Sequence, residues 1–185
     1  APHASTAKEI AALLSDAPAE EALALIERYA DDPRNQVQRA VASAQKRLER
    51  DEAEHARVRG MYELQRELGG DGVVLGVDEV GRGSIAGPLT VCAVALPNDP
   101  MIWGINDSKQ LTPAKREVLA ARIADVAVAI GTCHIEPSLI DAIGMAQALR
   151  AAMSGAVKDA GVEPDCVLID GNPMHIHPKE KTLVK

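Results

Sequence analysis

The stretch from Val73 to Pro97 constrains this chain most. Val73-Val74-Leu75-Gly76-Val77 is a short apolar run, and Leu89 to Leu96 is a second one closed by Pro97. Both have the length and β-branched content of buried strands. Between them lie Asp78-Glu79-Val80-Gly81-Arg82-Gly83-Ser84-Ile85-Ala86-Gly87-Pro88. Two strands joined through such a segment predict a hairpin with an irregular, glycine-built connection. The two acids sit where the first strand is expected to end. A carboxylate buried without a partner is costly, so acids at such a place are paired, capped or bound to a cation. Successive strand residues point to opposite faces. Asp78 and Glu79 therefore serve one site only if the strand stops or bends between them, which the following glycines permit.

Gly81-Arg82-Gly83-Ser84-Ile85-Ala86 also fits the G-x-G-x-x-A pattern of dinucleotide-binding folds. That pattern needs a helix directly after the glycines, because the pyrophosphate rests on the helix N-terminus. Gly87-Pro88 and a strand-like run follow instead. A dinucleotide-binding oxidoreductase stays open here only as a weaker alternative.

The residues Gly76 to Pro88 resemble the signature segment of the ribonuclease HII family, the bacterial type 2 ribonucleases H. The resemblance implies that Asp78 and Glu79 are catalytic metal ligands and that Gly81, Arg82 and Gly83 recognise the ribonucleotide at an RNA–DNA junction. The family usually has proline at the position of Ser84. Asp107-Ser108-Lys109 is similar to a further family segment and implies a substrate-binding role for Lys109. Read without the family, these are ordinary turn residues.

A third acid closes a further apolar run, Asp165-Cys166-Val167-Leu168-Ile169-Asp170, before Gly171-Asn172-Pro173. If the two acid-ended strands are neighbours, Asp78, Glu79 and Asp170 meet at one edge of a sheet. Three carboxylates there would repel one another, and a divalent cation resolves the repulsion. Oxygen donors favour Mg²⁺ or Mn²⁺ over zinc, and two such ions suit hydrolysis of a phosphodiester. The resemblance implies the substrate: the RNA strand of RNA–DNA hybrids and single ribonucleotides embedded in duplex DNA, cut on the 5′ side to leave a 3′-hydroxyl. It also implies a fourth ligand, an Asp in a Gly-Asp pair just after the last strand, and a later tyrosine. The chain stops at Leu183-Val184-Lys185, where that pair would begin. The expectation is a C-terminally incomplete chain with weak metal binding. A catalytically incomplete nucleic-acid-binding fragment is the other alternative.

Composition agrees with a phosphate grip that is local rather than broad. Net charge is −7, against a wide basic patch. Candidate contacts are Arg82, Lys109, Lys115, Arg116, Lys179, Lys181 and Lys185. No apolar run approaches the roughly 20 residues of a membrane span, and the N-terminus lacks a secretory pattern. A soluble cytoplasmic monomer is expected. Cys92, Cys133 and Cys166 show no metal spacing and read as free thiols. His134, His175 and His177 read as loop or surface residues rather than ligands.

Residues 1–70 read as a helical extension. Thr6 and Glu9 fit a capping box, Pro18-Ala19-Glu20-Glu21 opens a second helix, and Asp31-Asp32-Pro33 precedes a third that runs to about Leu68. Some members of the resembled family carry such an extension, which implies help in holding substrate. Residues 71–185 read as one α/β domain. Its strands and helices, with Thr112-Pro113 as a helix start, predict a mixed sheet with flanking helices. The resemblance makes this a ribonuclease H-like fold.

Overall fold

A computed structural model describes residues 5–83 and 87–183. Two compact units are present, Ala1–Arg57 and Val58–Lys185.

The first unit contains α1 (Ala7–Asp16), α2 (Ala19–Tyr29) and the part of α3 (Asn35–Gly69) up to Arg57. Thr6 starts α1 as the sequence predicts. Its hydroxyl accepts the Glu9 N–H at 3.3 Å, and Glu9 Oε2 accepts the Thr6 N–H at 2.7 Å. Ile10 and Leu14 of α1 pack against Val37, Val41 and Ala44 of α3, the apolar stripe expected from helical spacing. Polar links reinforce that packing. Arg47 donates to the carbonyls of Leu14 (3.2 Å) and Ala17 (3.0 Å), and Arg34 donates to the carbonyl of Ser5 at 2.9 Å. Asp32 clamps Arg34 with an Oδ2–Nη2 distance of 2.6 Å.

The second unit holds the end of α3 and then β1 (Val74–Val80), β2 (Leu89–Ala95), a 3₁₀ turn (Ser108–Gln110), α4 (Pro113–Val126), β3 (Ala129–Ile135), α5 (Pro137–Ile143), α6 (Met145–Asp159), β4 (Cys166–Asp170) and β5 (Glu180–Leu183). The strands form one mixed sheet in the order β3-β2-β1-β4-β5. The pairs β1–β2 and β2–β3 are antiparallel; β1–β4 and β4–β5 are parallel. This is the mixed sheet with flanking helices that the sequence predicts.

Lacking phenylalanine, the core is built from small and branched residues. Ala148, Leu149, Ala152, Met153 and Ala156 of α6 bury against Leu75, Val77, Val91, Ala93, Val167 and Ile169. Small residues let α6 approach the sheet closely. A Cβ on Gly131 of β3 would collide with the Ala156 carbonyl and the Ala160 amide, so only glycine fits there without movement. On the opposite sheet face, Tyr62 accepts the Ile102 N–H at 3.0 Å, and Gln65 donates to the Leu96 carbonyl at 3.0 Å. Among the described residues no helix is long and apolar enough to cross a membrane. Cys92, Cys133 and Cys166 are free thiols.

One expectation about β1 changes. The strand does not end between the two acids but runs through Asp78 and Glu79 to Val80. Pairing with β2 carries it on, Asp78 opposite Cys92, Glu79 opposite Val91 and Val80 opposite Thr90.

Candidate active site

The site is set by strand register. In the parallel β1–β4 pair, Gly76 lies beside Leu168 and Val77 beside Ile169, so the next residues, Asp78 and Asp170, stand at the same level on the two strands. Val77 and Ile169 belong to the core under α6. Gly76 and Leu168 instead line a cavity of about 380 Å³ on the other face, with Val94 and Leu183. Two residues beyond Gly76 and Leu168, Asp78 and Asp170 fall on that same other face, and both are exposed. The register thus places two of the three expected acids at one level on one sheet face.

Glu79 follows the opposite face. Its cross-strand neighbour Val91 is fully buried in the α6 core, and Glu79 is half-buried beside it. Its Oε1 lies 3.4 Å from Arg82 Nη1. The Glu79 backbone N–H donates to Asp78 Oδ1 at 2.8 Å, which draws the Asp78 carboxylate back along its own chain. All the expected ligands are carboxylates, so the donor type fits a hard divalent cation. The convergence is partial: among the described residues, no group of three or more His, Cys, Asp or Glu side chains could hold a metal ion.

Gly81 ends β1 with φ at +93°, and a Cβ there would stand 2.5 Å from the Pro88 carbonyl oxygen. The two hairpin arms approach so closely that this position needs glycine. Gly83 differs, because a Cβ there would meet nothing within 4 Å among the described residues. Gly83 is exposed, which suits the approach of a ligand. Arg82 is largely exposed. Its pairing with Glu79 is a solvated ion pair worth about 0–1 kcal/mol, so a phosphate competes for it cheaply. Ser84, Ile85 and Ala86 lie outside the described residues. The strand β2 that follows stands where a dinucleotide site requires a helix, which removes the support for that alternative.

Lys109 is exposed in the 3₁₀ turn. Asp107 caps this turn by accepting the Lys109 N–H at 2.9 Å. Arg116, a candidate phosphate contact in the sequence, is used to hold the turn, donating to the carbonyls of Ser108 (3.1 Å) and Leu111 (2.8 Å). Lys181 donates to the Leu68 carbonyl and Lys179 to the Pro164 carbonyl, each at 2.8 Å. These three basic residues serve as structural donors. Lys115 is exposed on the first turn of α4, and Lys185 lies outside the described residues.

The histidines serve locally. His134 Nδ1 is 2.8 Å from the Thr90 hydroxyl across β2 and β3, and His177 Nδ1 accepts the Lys179 N–H at 3.2 Å. Sequence reasoning passed over Glu180, which sits between two lysines and reads as part of a basic tail. Its carboxylate is enclosed by backbone amides of the loop that follows Asp170. An acid opening a strand just after a proline-rich loop is the only local signal it offers.

Comparison with known proteins points to one family. Residues 75–185 match the family profile described as Ribonuclease HII, and residues 6–69 match that of the Ribonuclease HII N-terminal domain. The chain is 39% identical over 156 residues to Ribonuclease HII of Listeria monocytogenes, covering 83% of this chain and 60% of that protein. It is 37% identical over 182 residues to Ribonuclease HII of a Geobacillus strain, covering 97% of this chain and 65% of that protein. The chain thus spans somewhat under two thirds of the length of these relatives. Among solved structures, ribonuclease H2 from Pyrococcus horikoshii OT3 aligns at 27% identity and a TM-score of 0.49, over 56% of this chain and 54% of that one. Bst-RNase HIII in complex with Mn²⁺ aligns at 24% identity and a TM-score of 0.47, over 57% and 38%.

Proposed function

The chain belongs to the ribonuclease HII family, and on that footing we propose that it carries the catalytic face of a metal-dependent endonuclease. The substrates are the RNA strand of RNA–DNA hybrids and single ribonucleotides in duplex DNA, incised on the 5′ side to leave a 3′-hydroxyl. The observation that carries the reading is the shared face and level of Asp78 and Asp170, with Gly81-Arg82-Gly83 following within a few residues.

Asp78, Glu79 and Asp170 are the proposed ligands of Mn²⁺ or Mg²⁺ in a two-ion site, of which the described residues bring Asp78 and Asp170 to one face. When bound, such ions stabilise charge on the phosphodiester and acidify an attacking water. The chain's own residues orient the substrate. Arg82 exchanges Glu79 for a backbone phosphate by a charge-assisted hydrogen bond. Gly81 and Gly83 present backbone groups where the 2′-hydroxyl, which separates RNA from DNA, can be read at close range. Lys109 adds a second phosphate contact. The setting is a cytoplasmic monomer acting on duplexes that contain ribonucleotides.

One observation favours a second reading. The absence of a three-ligand group among the described residues suits a fragment that binds nucleic acid without cutting it. Cleavage of a DNA duplex carrying one ribonucleotide, with Mg²⁺ or Mn²⁺, tests both. The assay compares this chain with a version extended at its C-terminus to the length of the relatives. Cleavage by the extended chain alone supports the nuclease with a completed site. Failure of both folded proteins to cut sinks it and leaves the binding fragment.

A further inference from the structure

Asp170 is followed by a loop, residues 171–179, that leads directly into the parallel strand β5. Parallel neighbours are usually joined by a crossover of a dozen or more residues, commonly through a helix. This connection is shorter and has no helix, and β5 is a four-residue strand at the sheet edge. Little apolar burial holds it in place, since its residues are exposed or half-buried. Something else must fix its register.

Glu180, the first residue of β5, supplies that anchor. Its Oε1 accepts the Met174 N–H at 2.7 Å, and its Oε2 accepts the Ile176 N–H at 2.8 Å. Between these donors, His175 has φ of 54°, the one non-glycine residue with positive φ among the described residues. A left-handed residue flanked by donors curls the chain into a concave amide nest, which favours an anion. Partial burial works to raise the Glu180 pKa. The amides of Ile176, Met174 and His175 outweigh it and hold the carboxyl below its ordinary value. The Glu180 N–H also donates to the His177 carbonyl at 3.1 Å, closing the loop on itself.

From that anchor β5 zips along β4. Val167 N–H donates to the Lys179 carbonyl and Gly171 N–H to the Leu183 carbonyl, each at 3.0 Å. Leu183 is registered beside Asp170. The backbone on both sides of Asp170 is therefore set by a strand that Glu180 holds by its carboxylate.

We propose that Glu180 is a positioning residue for the candidate ligand Asp170, acting through the 171–179 loop and the β5 register rather than by touching the ion. This rests on the metal reading above. Glu180→Ala removes both acceptors, and Glu180→Gln keeps one. Outer residues that orient ligands typically contribute about 10–100-fold in metal affinity.

The test is titration of this chain with Mn²⁺ alone, by calorimetry and by the electron paramagnetic resonance of free Mn²⁺. The parent, Glu180→Ala, Glu180→Gln, Asp170→Asn and the Glu180→Ala/Asp170→Asn double variant are compared. Amide resonances of Met174, Ile176 and Gly171 report the loop, and thermal melts report the fold. The expected result is a loss of roughly tenfold in affinity for Glu180→Ala, with partial rescue in Glu180→Gln. In the Asp170→Asn background the same change should cost nothing further. A purely structural role would lower stability and leave this coupling at zero. If Glu180→Ala does not fold, Glu180→Gln carries the test by the same coupling. Parent-like affinity in a folded Glu180 variant, while Asp170→Asn has lost it, overturns this inference and leaves the metal reading intact. No Mn²⁺ binding by the parent, or none that depends on Asp170, overturns both.

Discussion

Asp78 and Asp170 stand on neighbouring parallel strands at the same level and on the same sheet face, one residue beyond the paired Val77 and Ile169. Two like charges so placed repel, and neutralising one relieves the strain. In metal-free buffer at low salt, Asp170→Asn should raise stability in urea melts by about 1 kcal/mol. Added Mn²⁺ should raise the Tm of the parent through linkage and leave Asp170→Asn unmoved. A parent Tm insensitive to Mn²⁺ would argue against cation binding at this pair.

Gly81 and Gly83 separate structure from recognition. Gly81→Ala places a Cβ against the Pro88 carbonyl at a positive φ, and should cost about 1–3 kcal/mol. Gly83→Val meets none of the described residues at its Cβ and should stay within about 0.5 kcal/mol of the parent. Its effect should appear instead in anisotropy titrations, as weaker binding of a ribonucleotide-containing duplex with Mn²⁺ affinity kept. Equal loss of duplex and Mn²⁺ binding would count against the assignment of this loop.

Gly131→Ala tests the close seat of α6 on β3. The added methyl collides with backbone of Ala156 and Ala160, which cannot swing aside as a side chain could. Overpacking of this kind costs about 1–3 kcal/mol. Gly155 lies over Cys133 in the same contact, so displacement of α6 should also speed the reaction of Cys133 with a thiol reagent.

Acid should act on the helical unit through Asp32. Its hydrogen bonds with Arg34 lower its pKa from 3.8 to about 2. A depressed carboxyl pKa gives stability that is complete above the unfolded value and is lost as pH falls through the folded one. The Asp32 contribution should therefore fade between about pH 4 and pH 2. Asp32→Asn should flatten this part of the pH profile, measured by the amide resonances of Ser5 and Arg34.

Local chemistry was legible where it decides structure. The Thr6–Glu9 box and the Thr112-Pro113 start each depend on residues a turn apart, and both form as read. The hairpin and the two apolar strands that carry Asp78 and Asp170 followed from apolar runs and their punctuation, whereas their pairing as neighbours came only with the sheet order. The end of β1 was not legible, because Asp78 and Glu79 look like loop residues and stay in the strand only through β2. Glu180 was hidden for a related reason: its partners are amides, which carry no side-chain signature. Nor does composition say which basic residues are spent on carbonyls, as Arg116, Lys179 and Lys181 are.

The parallel pairing of β1 with β4 has a consequence for the order of folding. β2, α4, β3, α5 and α6 all lie in the chain between Asp78 and Asp170. Closing so long a loop is slow, whereas the β1–β2 hairpin is a local contact. The two acids should meet only when β4 docks on the hairpin, an order that φ-values at Val77 and Ile169 would check. A cation that relieves their repulsion would therefore act late, slowing unfolding more than it speeds folding.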